Sequence, residues 1–277
     1  MGNRNINLIF LGSSGCIQVP SFHCSCQTCE KARNDPKLRK TRASVVISGQ
    51  ENILIDASPD VEFQLERESI KFIDRIFLTH WHYDHCFGLA PFPELSTHGI
   101  WEKDKIDLYL PALDVGYFDR DFAWARSRFN IHPLKHGTFI ELPDATFEVV
   151  KTTHSVDSVG YIITTPRKRF AYLVDGIIPP EKTIKRLKEL ELDYIILEGT
   201  LDDLILPDGV QWFNFSIYEA IAFWRTLNVP KCILTHTSFH SWHINKLIAG
   251  ITPEERNDLE EKNPGLSFAH DGLRMKI

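Results

Sequence analysis

No run in this 277-residue chain approaches the roughly 18 consecutive apolar residues that a membrane-spanning helix needs, so a helical membrane protein is excluded. The first residues, Met1 to Phe10, show neither the basic segment nor the long apolar segment of a secretory signal, and the expected location is the cytoplasm. A basic excess is missing too. The 31 Lys and Arg face 37 Asp and Glu, a net charge of −6, which argues against a surface built to grip long nucleic acid. No low-complexity segment, repeat or linker interrupts the chain, so one domain over 1–277 is expected. The six Cys do not form an evenly spaced disulfide framework, because three of them crowd into Cys24, Cys26 and Cys29. What the sequence does have is an ordinary globular balance, 43% hydrophobic and 25% charged, together with 12 His.

Apolar runs bounded by turn residues mark strands at Ile6–Leu11, Ser44–Ile47, Asn52–Asp56, Ile73–Thr79 and Asp107–Leu110. Helical spacing is read over 59–69, and a helix over 114–130. The second half continues in the same style. Strands are expected at Thr138–Leu142, Thr146–Thr152, Gly160–Thr165, Arg169–Val174, Asp193–Leu197 and Lys231–Thr235, with one last strand over Leu266–Ile277. Helices are expected at Pro180–Leu190, Ser216–Leu227 and 253–263. Strands and helices mixed in both halves indicate an α/β domain.

The strongest local signal is His80-Trp81-His82-Tyr83-Asp84-His85, placed directly after the strand ending at Thr79. Four metal-competent side chains in six residues cannot all reach one ion. His80 and His82 can project toward one site, while Asp84 and His85 serve a second. Imidazole and carboxylate donors suit zinc, manganese or iron.

This HxHxDH pattern resembles the metallo-β-lactamase superfamily, and the likeness continues along the chain. Asp56 matches the acid that orients the metal loop, and His154, Asp175 and His236 match the later strand-end ligands, all in family order. The resemblance implies a four-layer αββα sandwich holding two divalent ions, zinc or manganese. His80, His82 and His154 would hold the first and Asp84, His85 and His236 the second, with Asp175 bridging. It also implies a hydrolase in which the ions activate a shared water and Asp84 doubles as proton acceptor.

Cys24-Ser25-Cys26-Gln27-Thr28-Cys29 supplies three thiols on one short loop, and a closed zinc site needs a fourth ligand. This CxCxxC resembles the branch that contains the PhnP-like phosphoribosyl cyclic phosphate phosphodiesterases and the PqqB proteins. By that resemblance a structural zinc is expected on Cys24, Cys26 and Cys29, with His240 as the nearest equivalent of the fourth ligand. Cys16, Cys86 and Cys232 read as small core residues. One departure stands out: where the phosphodiesterases carry a further His, this chain has Leu201, followed by Asp202 and Asp203.

The expected function is therefore metal-dependent hydrolysis of a small phosphodiester, cyclic forms included. The alternatives are a ribonuclease Z-like activity on RNA, which the acidic balance disfavours, a PqqB-like role, and a metal-binding module without catalysis. No membrane partner is expected, and a homodimer follows from the resemblance only.

Overall fold

In the computed structural model, which describes residues 5–101, 103–200, 213–237 and 253–277, the chain builds one sheet and then crosses to another. β1 (Asn7–Gly12), β2 (Ser44–Ser48), β3 (Asn52–Ile55), β4 (Arg75–Phe77), β5 (Ile106–Pro111) and β6 (Phe129–Leu134) belong to the first sheet. β7 (Phe139–Glu141), β8 (Thr146–Lys151), β9 (Val159–Thr164), β10 (Arg169–Leu173), β11 (Tyr194–Glu198), β12 (Cys232–Thr235) and β13 (Leu266–Phe268) make the second. β14 (Arg274–Lys276) returns to pair antiparallel with β1. The strand orders are β14-β1-β2-β3-β4-β5-β6 and β13-β12-β11-β10-β9-β8-β7. Each sheet is part antiparallel and part parallel. β3 through β6 run parallel in the first, and β10 through β13 in the second.

The helices are α1 (Gln27–Asn34), α2 (Val61–Arg67), α3 (Tyr83–Cys86), α4 (Pro91–Thr97), α5 (Val115–Asp121), α6 (Glu181–Glu189), α7 (Ile217–Arg225) and α8 (Pro253–Lys262), among the described residues. Side chains on a strand alternate between faces, so a sheet covered on both sides must be apolar at nearly every position. β1 shows the division: Leu8 and Phe10 join the core between the sheets, whereas Ile9 and Leu11 join the core under the helices. Phe77 marks the inner seam, stacked at 4.3 Å on Tyr109 of its own sheet and at 4.3 Å on Phe147 of the other. Outside the first sheet lie Val61, Leu65, Phe92 and Phe118 from α2, α4 and α5. Outside the second lie Leu187, Ala220, Phe223, Trp224 and Leu259 from α6, α7 and α8. The result is the four-layer αββα sandwich that the resemblance implied.

Local chemistry explains several boundaries. α7 begins at a capping box, with Ser216 Oγ accepting from the Glu219 N–H at 3.2 Å and the Glu219 carboxylate accepting from the Ser216 N–H at 2.9 Å. α1 stops at Asp35, one residue before Pro36.

Two expectations need correction. The stretch 114–130 is not one helix, because α5 ends at Asp121 and the chain turns through Ala123–Arg128 into β6. β6 is an edge strand, where Pro133 is tolerated because its missing N–H interrupts no ladder. The last strand is two strands in different sheets. The break falls at Asp271-Gly272, where Gly272 takes φ +83° and Asp271 accepts from Ser13 Oγ at 2.9 Å and the Thr41 N–H at 2.8 Å. No helix among the described residues is long and apolar enough to cross a membrane.

Candidate metal centre

Parallel strands leave their carboxyl ends at one edge of a sheet, and that edge is where loops can converge on a ligand. β3 ends into Asp56 and β4 into Thr79 and His80, while the second sheet brings His154 after β8, Asp175 after β10 and His236 after β12. A bridge between His80 and Ser158, with the Val159 N–H donating to Thr79 O at 2.9 Å, ties the two sheets together beside these residues. Asp56, Asp175 and His236 adopt φ of +62°, +65° and +55°. Left-handed backbone at non-glycine residues costs energy and clusters where a site fixes it.

The side chains gather into two groups whose ligand atoms lie within 4.8 Å of one another. The first is His80, His82, His154 and Asp175. The second is Asp84, His85, Asp175 and His236. In the first, His82 Nδ1 faces His80 Nε2 and His154 Nε2 at 3.0 Å each. In the second, Asp84 Oδ2 faces His85 Nε2 and His236 Nε2 at 3.4 Å each. Asp175 Oδ2 stands between the groups, 3.3 Å from His80 Nε2 and His85 Nε2 and 3.7 Å from His154 Nε2 and His236 Nε2.

Partners behind these side chains fix their tautomers. His85 Nδ1 lies 2.9 Å from Asp56 Oδ2, so in the neutral ring it carries the proton and the Nε2 lone pair is the one that faces the centre. Asp56 is itself held by the Thr79 N–H at 2.8 Å and by Thr79 Oγ1 at 3.0 Å. His154 Nδ1 donates to Phe213 O at 3.0 Å, and His80 Nδ1 contacts Thr79 Oγ1 at 2.9 Å. α3 is pressed against the Asp56 turn: the Ala57 N–H donates to His85 O at 2.7 Å, and Gly88 sits where a Cβ would lie 2.0 Å from Ser58 O.

Glu198 is a functional residue that the sequence reading passed over. Fully buried at the end of β11, it accepts from Thr200 Oγ1 at 2.6 Å and Asn214 Nδ2 at 2.9 Å, and faces His236 Nδ1 at 3.5 Å. It also takes the Gly176 N–H. Its signal was present, since Glu198 closes an apolar strand as Asp56 and Asp175 do. Asn214 had no such signal.

Electrostatics agree with cation binding. Burial opposes charge on His85 and His236, but Asp84 and Asp56 around the first, and Asp175, Asp84 and Glu198 around the second, hold both well above the usual imidazole range. Burial pushes His80 down to about 3. Asp175 and Asp84 are buried against ionisation, yet the surrounding imidazoles hold both well below the usual carboxylate range. Divalent ions bound here would compete with protons for these imidazoles. The donor set fits such ions. His85 Nε2 is buried without a hydrogen-bond partner, and the inward-facing nitrogens and carboxylate oxygens suit zinc or manganese.

The Cys24, Cys26 and Cys29 sulfurs form a separate group, also within 4.8 Å of one another. Cys26 Sγ caps α1 by accepting the Cys29 N–H at 3.4 Å, and Cys29 Sγ accepts the Ser21 N–H at 3.3 Å. Arg33 braces the loop through Cys24 O at 2.6 Å and Ser21 O at 3.0 Å. His240, together with Leu201, Asp202 and Asp203, lies outside the described residues. Cys86 and Cys232 are buried as expected, but Cys16 is exposed, because the Ser13–Gly15 turn carries it past the end of β1.

The family model of the beta-lactamase superfamily domain matches residues 51–237. Coenzyme PQQ synthesis protein B of Methylobacterium radiotolerans is 25% identical over 320 aligned residues, covering 98% of this chain and 100% of that protein. A protein of Porphyromonas gingivalis named octanoyltransferase is 33% identical over 274 residues, covering 97% of this chain. The match takes in 51% of that protein, so this chain spans about half of its length. Among solved structures, a diphosphatase from the PhnP family superposes with a TM-score of 0.81 at 27% identity, over 99% of this chain and 97% of that one.

Proposed function

The chain belongs to the beta-lactamase superfamily, and from that premise we propose that it is a dinuclear metal-dependent hydrolase of a small phosphodiester or diphosphate. One observation carries the reading: a single carboxylate oxygen, Asp175 Oδ2, lies 3.3 Å from a nitrogen of each of two histidine sets. A carboxylate so placed is what a bridge between two ions requires. The diphosphatase likeness supports attack at phosphorus, while the PQQ protein and the octanoyltransferase leave the substrate open.

In this proposal His80, His82 and His154 would hold one zinc or manganese ion and Asp84, His85 and His236 the other, with Asp175 shared by the two sets. Such ions supply an activated water at neutral pH and offset charge that develops on the phosphoryl oxygens. The protein's own groups set the geometry. Asp84 turns Oδ2 toward His85 and His236, and its other oxygen is assigned to accept a hydrogen bond, and then the proton, from the attacking water. Asp56 and Glu198 keep the ligand nitrogens of His85 and His236 aimed inward. The Cys24, Cys26 and Cys29 loop is assigned a separate structural zinc. The acidic balance of the chain makes a long RNA the weaker alternative.

The test is metal content of the purified protein, followed by hydrolysis of bis(p-nitrophenyl) phosphate, cyclic nucleotides, ribose cyclic phosphates and nucleoside diphosphates. Turnover that disappears in Asp84→Ala supports the reading. Two bound ions with no turnover on any of these compounds would refute it.

A further inference from the structure

Asn214 occupies a position that neither catalysis nor metal ligation uses. Its amide nitrogen has two hydrogens, and each meets a different carboxylate: Asp175 Oδ1, and Glu198 Oε2 at 2.9 Å. Asp175 turns Oδ2 to four imidazoles, so Asn214 ties off the oxygen that is left. Glu198 in turn faces His236 Nδ1 at 3.5 Å. One side chain therefore sets the rotation of the shared carboxylate and braces the acid behind His236.

The other histidines are held by different means. His80 relies on Thr79 Oγ1 at 2.9 Å and His85 on Asp56 at 2.9 Å. His154 relies on a backbone carbonyl, Phe213 O at 3.0 Å, which a change of side chain at the next residue leaves in place. In the His80–His82–His154 group, Asn214 reaches only the shared Asp175. In the Asp84–His85–His236 group it touches Asp175 directly and acts on His236 through Glu198, which holds Thr200 Oγ1 at 2.6 Å, itself 3.2 Å from His236 Nδ1.

We propose that Asn214 is a positioning residue that makes the affinity of the Asp84–His85–His236 subsite separately adjustable from that of the His80–His82–His154 subsite. This rests on the two-metal reading above. Removing the amide frees Asp175 to rotate and loosens His236, so the second subsite loses alignment at two of its four ligands and the first at one.

The experiment titrates the full chain with cobalt(II) alone, comparing wild type with Asn214→Leu and with Asn214→Asp, which keeps the shape but removes both donors. Thiolate charge-transfer bands report the Cys loop, and visible d–d bands report the histidine centre. Wild type is expected to show two centre-bound ions. In both variants one of the two affinities should fall by roughly 10- to 100-fold, the usual cost of losing a group behind a ligand, while the other changes much less. The thiolate bands should not move. Unchanged affinities, or an equal loss at both subsites, would overturn the proposal. Fewer than two centre-bound ions in wild type would overturn the two-metal reading itself. If Asn214→Leu does not fold, Asn214→Asp alone decides.

Discussion

Asp56→Asn isolates the contribution of a group that touches no substrate. Asn tolerates the left-handed backbone at this position, φ +62°, about as well as Asp, so the conformational cost nearly cancels. The amide oxygen can still accept from the Thr79 N–H, now at 2.8 Å. The other end must then present an NH2 group to His85 Nδ1, where a carboxylate oxygen now lies at 2.9 Å. Two donors cannot face each other, so the imidazole moves its proton to Nε2, and the lone pair aimed at Asp84 and Asp175 is lost. A change behind a ligand typically costs 10- to 100-fold in metal affinity, about 1.4–2.7 kcal/mol. Exchanging a charge-assisted hydrogen bond for a neutral one should also cost the metal-free protein about 1 kcal/mol, or roughly 2–4 °C in melting temperature. Chelator competition measures the first effect and thermal unfolding of the metal-free protein the second. An Asp56→Asn protein that binds both ions with wild-type affinity would refute the tautomer argument, whatever its melting temperature.

Three further outcomes are expected. Cys26→Ser should remove one zinc per chain and lower the melting temperature while the histidine centre keeps its ions; Ser can still cap α1, so retention of the third zinc would count against the thiolate site. Asp114 is fully buried with both carboxylate oxygens unpartnered, and burial, with Asp157 adding repulsion, pushes its pKa up to about 7. A carboxyl with a folded pKa above its unfolded value of about 3.9 makes the folded state bind the extra proton, so stability falls as pH rises from about 4 through 7. Asp114→Asn should therefore gain stability relative to wild type at pH 8 by roughly 2 kcal/mol more than at pH 4, and a pH-independent difference in chemical denaturation would contradict this. Arg42→Lys should destabilise by about 1–2 kcal/mol, because a single ammonium cannot serve Asp60, which Arg42 Nη1 meets at 3.0 Å to both oxygens, and also Cys16 O, which Nε meets at 2.9 Å; urea unfolding checks it.

The candidate ligands were legible because His154, Asp175 and His236 each follow an apolar strand, while His80, His82, Asp84 and His85 crowd into the six residues after β4. The αββα layering was legible for a related reason. Strands such as Ile53-Leu54-Ile55 are apolar on both faces, which only a sheet covered on both sides requires. Asn214 was not legible, since its role comes from a tertiary approach to Asp175 and Glu198 that no local pattern encodes. β6 was hidden because Asn130, His132 and Pro133 break up its apolar residues, which form a strand only when β5 is there to pair with. The sheet switch between β13 and β14 was hidden because it depends on Asp271 finding Ser13 and Thr41, far away in sequence.

Both ligand groups draw on both sheets, and this imposes a timetable on the growing chain. His80, His82, Asp84 and His85 leave the ribosome early, when each subsite has only half of its donors. The first subsite is complete once Asp175 has emerged, but the second must wait for His236, and β1 gains its outer neighbour only with the final strand. On the two-metal proposal, a nascent chain halted between Asp175 and His236 would have donors for only one of the two ions of the histidine centre. Metal acquisition would then double as a record of how far synthesis and sheet docking have gone.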